Sequence, residues 1–190
     1  MKEMNRREFL TLTGAAVVAL SLAGCGGGTS APPAPPAPTT SKEAKVLEAI
    51  NQALEAQKIR TLSYSQEASD YASRFVSPCV KADKAEVMMT EDQALAYEND
   101  MIARRDAINQ TYGKSALKVR VLGCSFVLGA DSNEIKLTLP YDLNGPDFKD
   151  AFNKIVTRVT ADAQLKWLGI YCPTVGGKDY IVIAPLSDRR

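Results

Sequence analysis

Hydrophobic residues first fall into a helical rhythm at Val46, Leu47, Ile50, Ala53 and Leu54, the spacing of one buried helix face. Thr40 and Glu43 stand three apart just ahead of it. Each side chain can then cap the other's main-chain N–H, so the helix starts there. The rhythm returns behind Tyr64, with Ala68, Tyr71, Ala72 and Phe75 on one side. It predicts a second helix, ended by Pro78, because proline lacks the N–H that a helix interior needs. Thr90 and Gln93 repeat the capping spacing. The helix behind them runs towards Tyr112 with Ala94, Tyr97, Met101 and Ile108 on one face, and Gly113 stops it.

From Lys118 the period changes. The stretch to Gly129 is rich in Val, Leu and Phe. Ile135, Leu137 and Leu139 then alternate with Glu134, Lys136 and Thr138, the period of a strand with one buried face. Pro146 opens a further helix from a first-turn position, and its face is Phe148, Phe152, Ile155 and Val159. Lys166 to Cys172 and Tyr180 to Ala184 predict two closing strands, with Gly176-Gly177 suggesting a hairpin between them. Three helices, two strands, a helix and two strands make an α+β layout, with helices packed on a mainly antiparallel sheet.

Ahead of this domain the pattern is that of an address. Arg6 and Arg7 precede Phe9-Leu10 and an apolar run to Ala23, which resembles a twin-arginine export signal. The run is too short and too polar for a membrane span of about 20 apolar residues. Leu22-Ala23-Gly24-Cys25 resembles a bacterial lipobox. That resemblance implies transfer of a diacylglycerol to the Cys25 sulfur, cleavage before Cys25 and acylation of its new amino group, a palmitate-type anchor. Several acyl chains hold firmly, since each buried CH₂ contributes roughly 0.8 kcal/mol. Gly26 follows, where an Asp would resemble an inner-membrane retention signal, so the outer membrane is favoured in a two-membrane bacterium. Gly26-Gly27-Gly28 and the Ala/Pro run from Ala31 to Pro38 form a tether, the second part a semi-rigid polyproline spacer. The expected organisation is a signal over 1–24, lipidated cysteine plus tether over 25–40, and one globular domain over 41–190.

Composition narrows the chemistry. None of the 190 residues is histidine, so a Ser-His-Asp triad, a Cys-His pair and imidazole-ligated metals are all excluded. Apart from three basic and two acidic residues in the signal, basic and acidic side chains are equal in number. No basic stripe stands out, which makes nucleic acid an unsuitable partner. Cys79, Cys124 and Cys172 lie in the domain. Three is odd, so at most one internal bridge forms, and the exported compartment permits it. Cys124 admits three readings: a small buried apolar residue, half of a disulfide, or a reactive thiol.

Several strings together resemble the CAP family (cysteine-rich secretory, antigen-five and pathogenesis-related proteins). Leu47-Glu48-Ala49-Ile50-Asn51 matches the family's opening helix, and Leu62-Ser63-Tyr64 with Ala68 to Ala72 fits the turn and second helix. Gly123-Cys124-Ser125-Phe126 echoes the Gly-Glu-Asn-Ile segment, and Phe152 with Gly169-Ile170 fits the closing helix and strand. The resemblance implies a CAP-like α-β-α sandwich over about residues 45 to 185. It also implies a cleft that in some members holds a metal through two histidines and two acidic residues. Here Phe75 falls at the first histidine, Cys124 replaces the Glu, and the second histidine's region is near Arg158. The cleft is thus a degenerate, more apolar one, without a metal or other cofactor. The same alignment brings Cys79 towards Cys124 and implies that they pair, leaving Cys172 free or intermolecular.

Other candidates are weaker. Asp147, Asp150, Glu91 and Asp92 belong to first helical turns, where acidic residues favour the helix dipole. Glu98 and Asp100 read as solvated. Ser125 has no Gly-x-Ser-x-Gly elbow around it. Arg104-Arg105 reads as a solvated helix face. No catalytic residue is assigned. The expected function is non-enzymatic: a lipid-anchored envelope protein that binds a small apolar ligand, an envelope polymer or an envelope protein. The alternatives are a carboxylate-dependent envelope hydrolase and an accessory subunit of an exported complex.

Overall fold

A computed structural model describes residues 36–112, 121–128 and 134–187. The chain divides into two units, Met1–Ala34 and Pro35–Arg190, and the first lies outside the described residues, as do the expected export signal with Arg6 and Arg7 and the expected lipidation site Cys25. The second is a mixed α+β fold. Its helices are α1 (Ser41–Ala56), α2 (Gln66–Phe75), α3 (Ser77–Ala82), α4 (Glu91–Tyr112) and α5 (Phe148–Thr160). Its strands are β1 (Ser63–Tyr64), β2 (Glu86–Thr90), β3 (Ser125–Leu128), β4 (Glu134–Thr138), β5 (Leu165–Tyr171), β6 (Thr174–Val175), β7 (Lys178–Asp179) and β8 (Val182–Ser187).

The helix starts obey their caps. The Thr40 hydroxyl accepts from Glu43 N, and the Glu43 carboxylate accepts from Thr40 N. Thr90 and Gln93 make the same reciprocal pair before α4. Pro78 does not end α2. That helix stops at Phe75, and Pro78 sits in the first turn of α3, where the missing N–H has no intrahelical partner to lose. Pro146 likewise precedes α5 in a turn. Within the expected strand from Lys118 to Gly129, only Ser125–Leu128 is a described strand. Gly113, Lys118 and Gly129 fall outside the described residues. The short strands β1 and β2 carry no clear alternation, and the hydrophobic pattern does not predict them. Gly176-Gly177 does turn a hairpin, but a small one, β6 with β7, set inside the connection from β5 to β8.

Sheet order is β1-β5-β8 in one ladder and β2-β4-β3 in another. All described pairs are antiparallel except β1 with β5. Leu122 exchanges two main-chain hydrogen bonds with Ile183 (2.7 and 2.8 Å), tying the approach to β3 onto β8.

The β5–β8 ladder is buried on both faces. Val182, Ala184 and Leu186, with Trp167 and Tyr171, turn towards α2, α3, α4 and β4. Ile181, Ile183, Leu168 and Ile170 turn towards α1 and α5. A bulge at Lys166 breaks the alternation, so Leu165 joins the second face and Trp167 the first. Among the described residues no helix is long and apolar enough to cross a membrane.

Helix α2 lies directly on β5. A Cβ added at Gly169 would sit 2.0 Å from the Ala68 carbonyl carbon and 2.2 Å from Ser69 N. Ala68 and Ala72 are fully buried beside it, and the Ser69 hydroxyl donates to Ile170 O at 2.5 Å. Gly169→Ala is therefore expected to cost about 3 kcal/mol by overpacking, lowering Tm by roughly 6–12 °C in a domain of this size. Gly177→Ala, with φ +73° and nothing within 4 Å, should cost only the left-handed backbone, about 1 kcal/mol. Thermal unfolding followed by circular dichroism ranks the two; equal melting temperatures would refute the contact's weight.

Candidate functional site

Phe75 ends α2 and turns its ring into the face shared with α4 and β4. Tyr71 lies one turn earlier, with ring centroids 6.3 Å apart. Tyr97 of α4 meets Phe75 edge-on at 6.0 Å and 73°, a favoured aromatic geometry. The Tyr97 hydroxyl donates to Phe75 O. That bond satisfies one of the carbonyls a helix end leaves without a partner. Burial pushes the Tyr97 and Tyr71 hydroxyls above their ordinary range, with Cys124 a further contributor to both. Phe75 and Cys124 thus share one environment. Aromatic rings and thiols surround them, and the Asp100 and Asp106 carboxylates stand close enough to act on Tyr97 and Tyr71.

Arg158 is not brought to them. It is exposed on α5, and the buried side chains of that helix, Ile155 and Val159, belong to the opposite face of the sheet. A shallow depression of about 340 Å³ runs along α5 past Asp150, Asn153, Lys154 and Thr157, all exposed polar residues of one helix.

The three described cysteines are free thiols. The Cys79–Cys124 bridge that the family likeness implies is not formed in the structure. The Cys79 thiol reaches Leu137 O at 3.8 Å and Ala85 O at 4.0 Å. Cys124 turns back to Val121 O in its own loop at 3.8 Å. Burial raises Cys79 from 9.0 to about 11. It raises Cys124 to about 12, Cys79 adding to the shift. Cys172 also rises to about 12, by burial first and then by Glu43. Such thiols are protonated near neutral pH and are poor nucleophiles.

The acidic and basic candidates are occupied locally. Asp100 pairs with Arg104 at 2.8 Å and Asp106 with Arg105 at 3.0 Å. Asp150, Glu91 and Asp92 lie in first turns, and Asp147 is the residue before α5. Among the described residues no group of three or more Cys, Asp or Glu side chains is placed to hold a metal ion.

Two polar clusters had no sequence signal. Lys42 reaches Asp179 at 2.6 Å, and the Thr174 hydroxyl donates to the same carboxylate oxygen at 2.6 Å. This clips the start of α1 to the β6–β7 hairpin and holds Asp179 below the usual carboxylate range, Lys42 first and Thr174 second. At the start of α2, Glu67 Oε2 accepts from the Tyr112 hydroxyl at 2.9 Å and from the Ser65 hydroxyl at 3.0 Å. Its own main-chain N–H contributes most to keeping Glu67 below the ordinary value. Tyr112 in turn packs against Trp167, centroids 5.3 Å apart. These partners lie 45 and 55 positions from Glu67 and from Tyr112 along the chain, too far for any local pattern to join them.

No protein-family model, no curated protein and no solved structure matches the chain.

The thiols generate a pH prediction. A cysteine whose folded pKa is raised stabilises the fold in full below its unfolded value. That contribution is lost as pH rises through the folded value. The domain should therefore lose stability from about pH 9 towards pH 12, the span from the ordinary cysteine value to those of Cys124 and Cys172. Iodoacetamide at neutral pH should label all three slowly in the folded protein and fast in urea. Rapid labelling of the folded protein would contradict the assignment.

Proposed function

We propose that this protein is an exported lipoprotein, tethered to the cell envelope through Cys25, whose domain over 41–190 is a CAP-like scaffold that binds and does not catalyse. The observation that carries the second half is the Phe75–Tyr97–Tyr71 ring group beside Cys124. Where the family likeness calls for a polar site, this chain has rings in contact and protonated thiols. Helices on both faces of the β5–β8 ladder and the Gly169-Ile170 strand under α2 support the CAP-like sandwich. The first half rests on Arg6-Arg7 and on Leu22-Ala23-Gly24-Cys25. The tether then holds the domain off the bilayer, the outer membrane in a two-membrane cell, where it meets an apolar ligand, an envelope polymer or another envelope protein.

Cys25→Ala should release the protein from the membrane fraction, and its intact mass should lack the acyl groups. An anchored Cys25→Ala protein of unchanged lipid content would overturn the lipoprotein assignment. Robust hydrolase turnover by the pure protein would overturn the non-enzymatic one. Mass spectrometry of lipids, glycans and proteins that co-purify with the wild type identifies the class of partner.

A further inference from the structure

We propose that Trp167, Tyr112 and Glu67 form a carbohydrate subsite that takes a sugar ring of an envelope glycan. The proposal rests on the envelope-binding function above and names the partner class and the place. The three residues come from separate elements: the bulged end of β5, the last residue of α4 and the first turn of α2. The rings of Tyr112 and Trp167 are inclined at 58°, with centroids 5.3 Å apart, and form an apolar corner. Both are only partly buried, and Glu67 beside them is exposed.

Trp167 is the one ring on the sheet that comes directly after the bulge residue, and Lys166 at that bulge lays its ammonium over the indole, 5.6 Å from the centroid. The corner thus joins two aromatic rings to an ammonium over the indole and a carboxylate beside Tyr112. The Glu67 carboxylate is held in place by the Tyr112 and Ser65 hydroxyls on one oxygen. An ionised carboxylate only accepts hydrogen bonds.

A sugar ring presents C–H groups on its faces and hydroxyl donors at its edge, which matches rings flanked by a fixed acceptor. Other partners match less well. An acyl chain gains nothing from Glu67 and desolvates it at a cost. A phosphate meets the Lys166 ammonium but also the Glu67 carboxylate, whose repulsion offsets that attraction.

Trp167 is the chain's single tryptophan, so its emission reports this corner alone. The full-length lipidated protein in detergent is titrated with a chito-oligosaccharide and with peptide-free glycan strands from peptidoglycan. A saturable change in emission is expected. By calorimetry, Trp167→Phe should weaken binding about tenfold and Glu67→Gln about three- to tenfold, with melting temperatures close to wild type. Should Trp167→Phe fail to fold, Glu67→Gln still decides, because the amide keeps the shape of the side chain but loses the charge that makes the carboxylate the stronger acceptor. No emission change with either glycan overturns the subsite, as does wild-type affinity in both variants. Either failure leaves the anchored-domain function standing, since that is judged separately by the fate of Cys25→Ala.

Discussion

The close approach of α2 to β5 at Gly169 is the contact on which the rest of the domain depends. Interiors are packed densely enough that one extra carbon cannot be absorbed against main-chain atoms. Only glycine leaves room for Ala68 and Ser69 to touch the strand. The contact is reinforced at both ends. Ser65 N donates to Leu168 O at 2.9 Å, and the Ser69 hydroxyl donates to Ile170 O. With α2 fixed at that height, Tyr71 and Phe75 project towards α4, and Glu67 comes within reach of Tyr112. A second close approach, at Gly123 over Ile181 O, holds the chain leading into β3 against the residue before β8. Gly123 has φ +89°, and an added Cβ would lie 2.0 Å from that oxygen.

The two faces of the β5–β8 ladder do different work. The side under α1 and α5 is a mainly aliphatic core of Val, Ile and Leu around the buried Tyr64, stabilised chiefly by burial. The side under α2 and α4 holds most of the aromatic rings and two of the thiols. Its polar atoms are satisfied by specific bonds such as Tyr97 to Phe75 O, and no buried side-chain nitrogen or oxygen among the described residues lacks a partner. Burial favours the protonated thiols of Cys79 and Cys124 and the protonated phenols of Tyr71, Tyr97 and Tyr112.

Much of the architecture is legible in the sequence because it is local. The capping pairs Thr40/Glu43 and Thr90/Gln93 act over three residues, and the apolar faces of α1 and α2 repeat over one turn. Illegible are the elements whose existence depends on a distant partner. Strand β1 is two residues long and exists because Trp167 and Leu168 offer it a ladder. Strand β2 exists because β4 does. Pro78 misleads because a proline that ends one helix and a proline that starts the next look identical in sequence. Only the break at Val76 tells them apart. Of the three positions that the family likeness groups in a cleft, Phe75 and Cys124 pack into one cluster. Arg158 lies instead on a helix of the opposite face.

The sequence by itself determined the features that composition and short spacing carry. It excluded histidine chemistry and set the capped helix starts and an α+β order. Tertiary structure alone decided which side chains meet. Tyr112, Glu67 and Trp167 come together, and Cys79 and Cys124 each turn to a backbone carbonyl. The reason is physical: a hydrogen bond or ring contact across 45 or 55 residues exists only after sheet register and helix height are set. In this chain the height of α2 on β5 depends on the absence of a side chain at Gly169, which no pattern of hydrophobic and polar positions records.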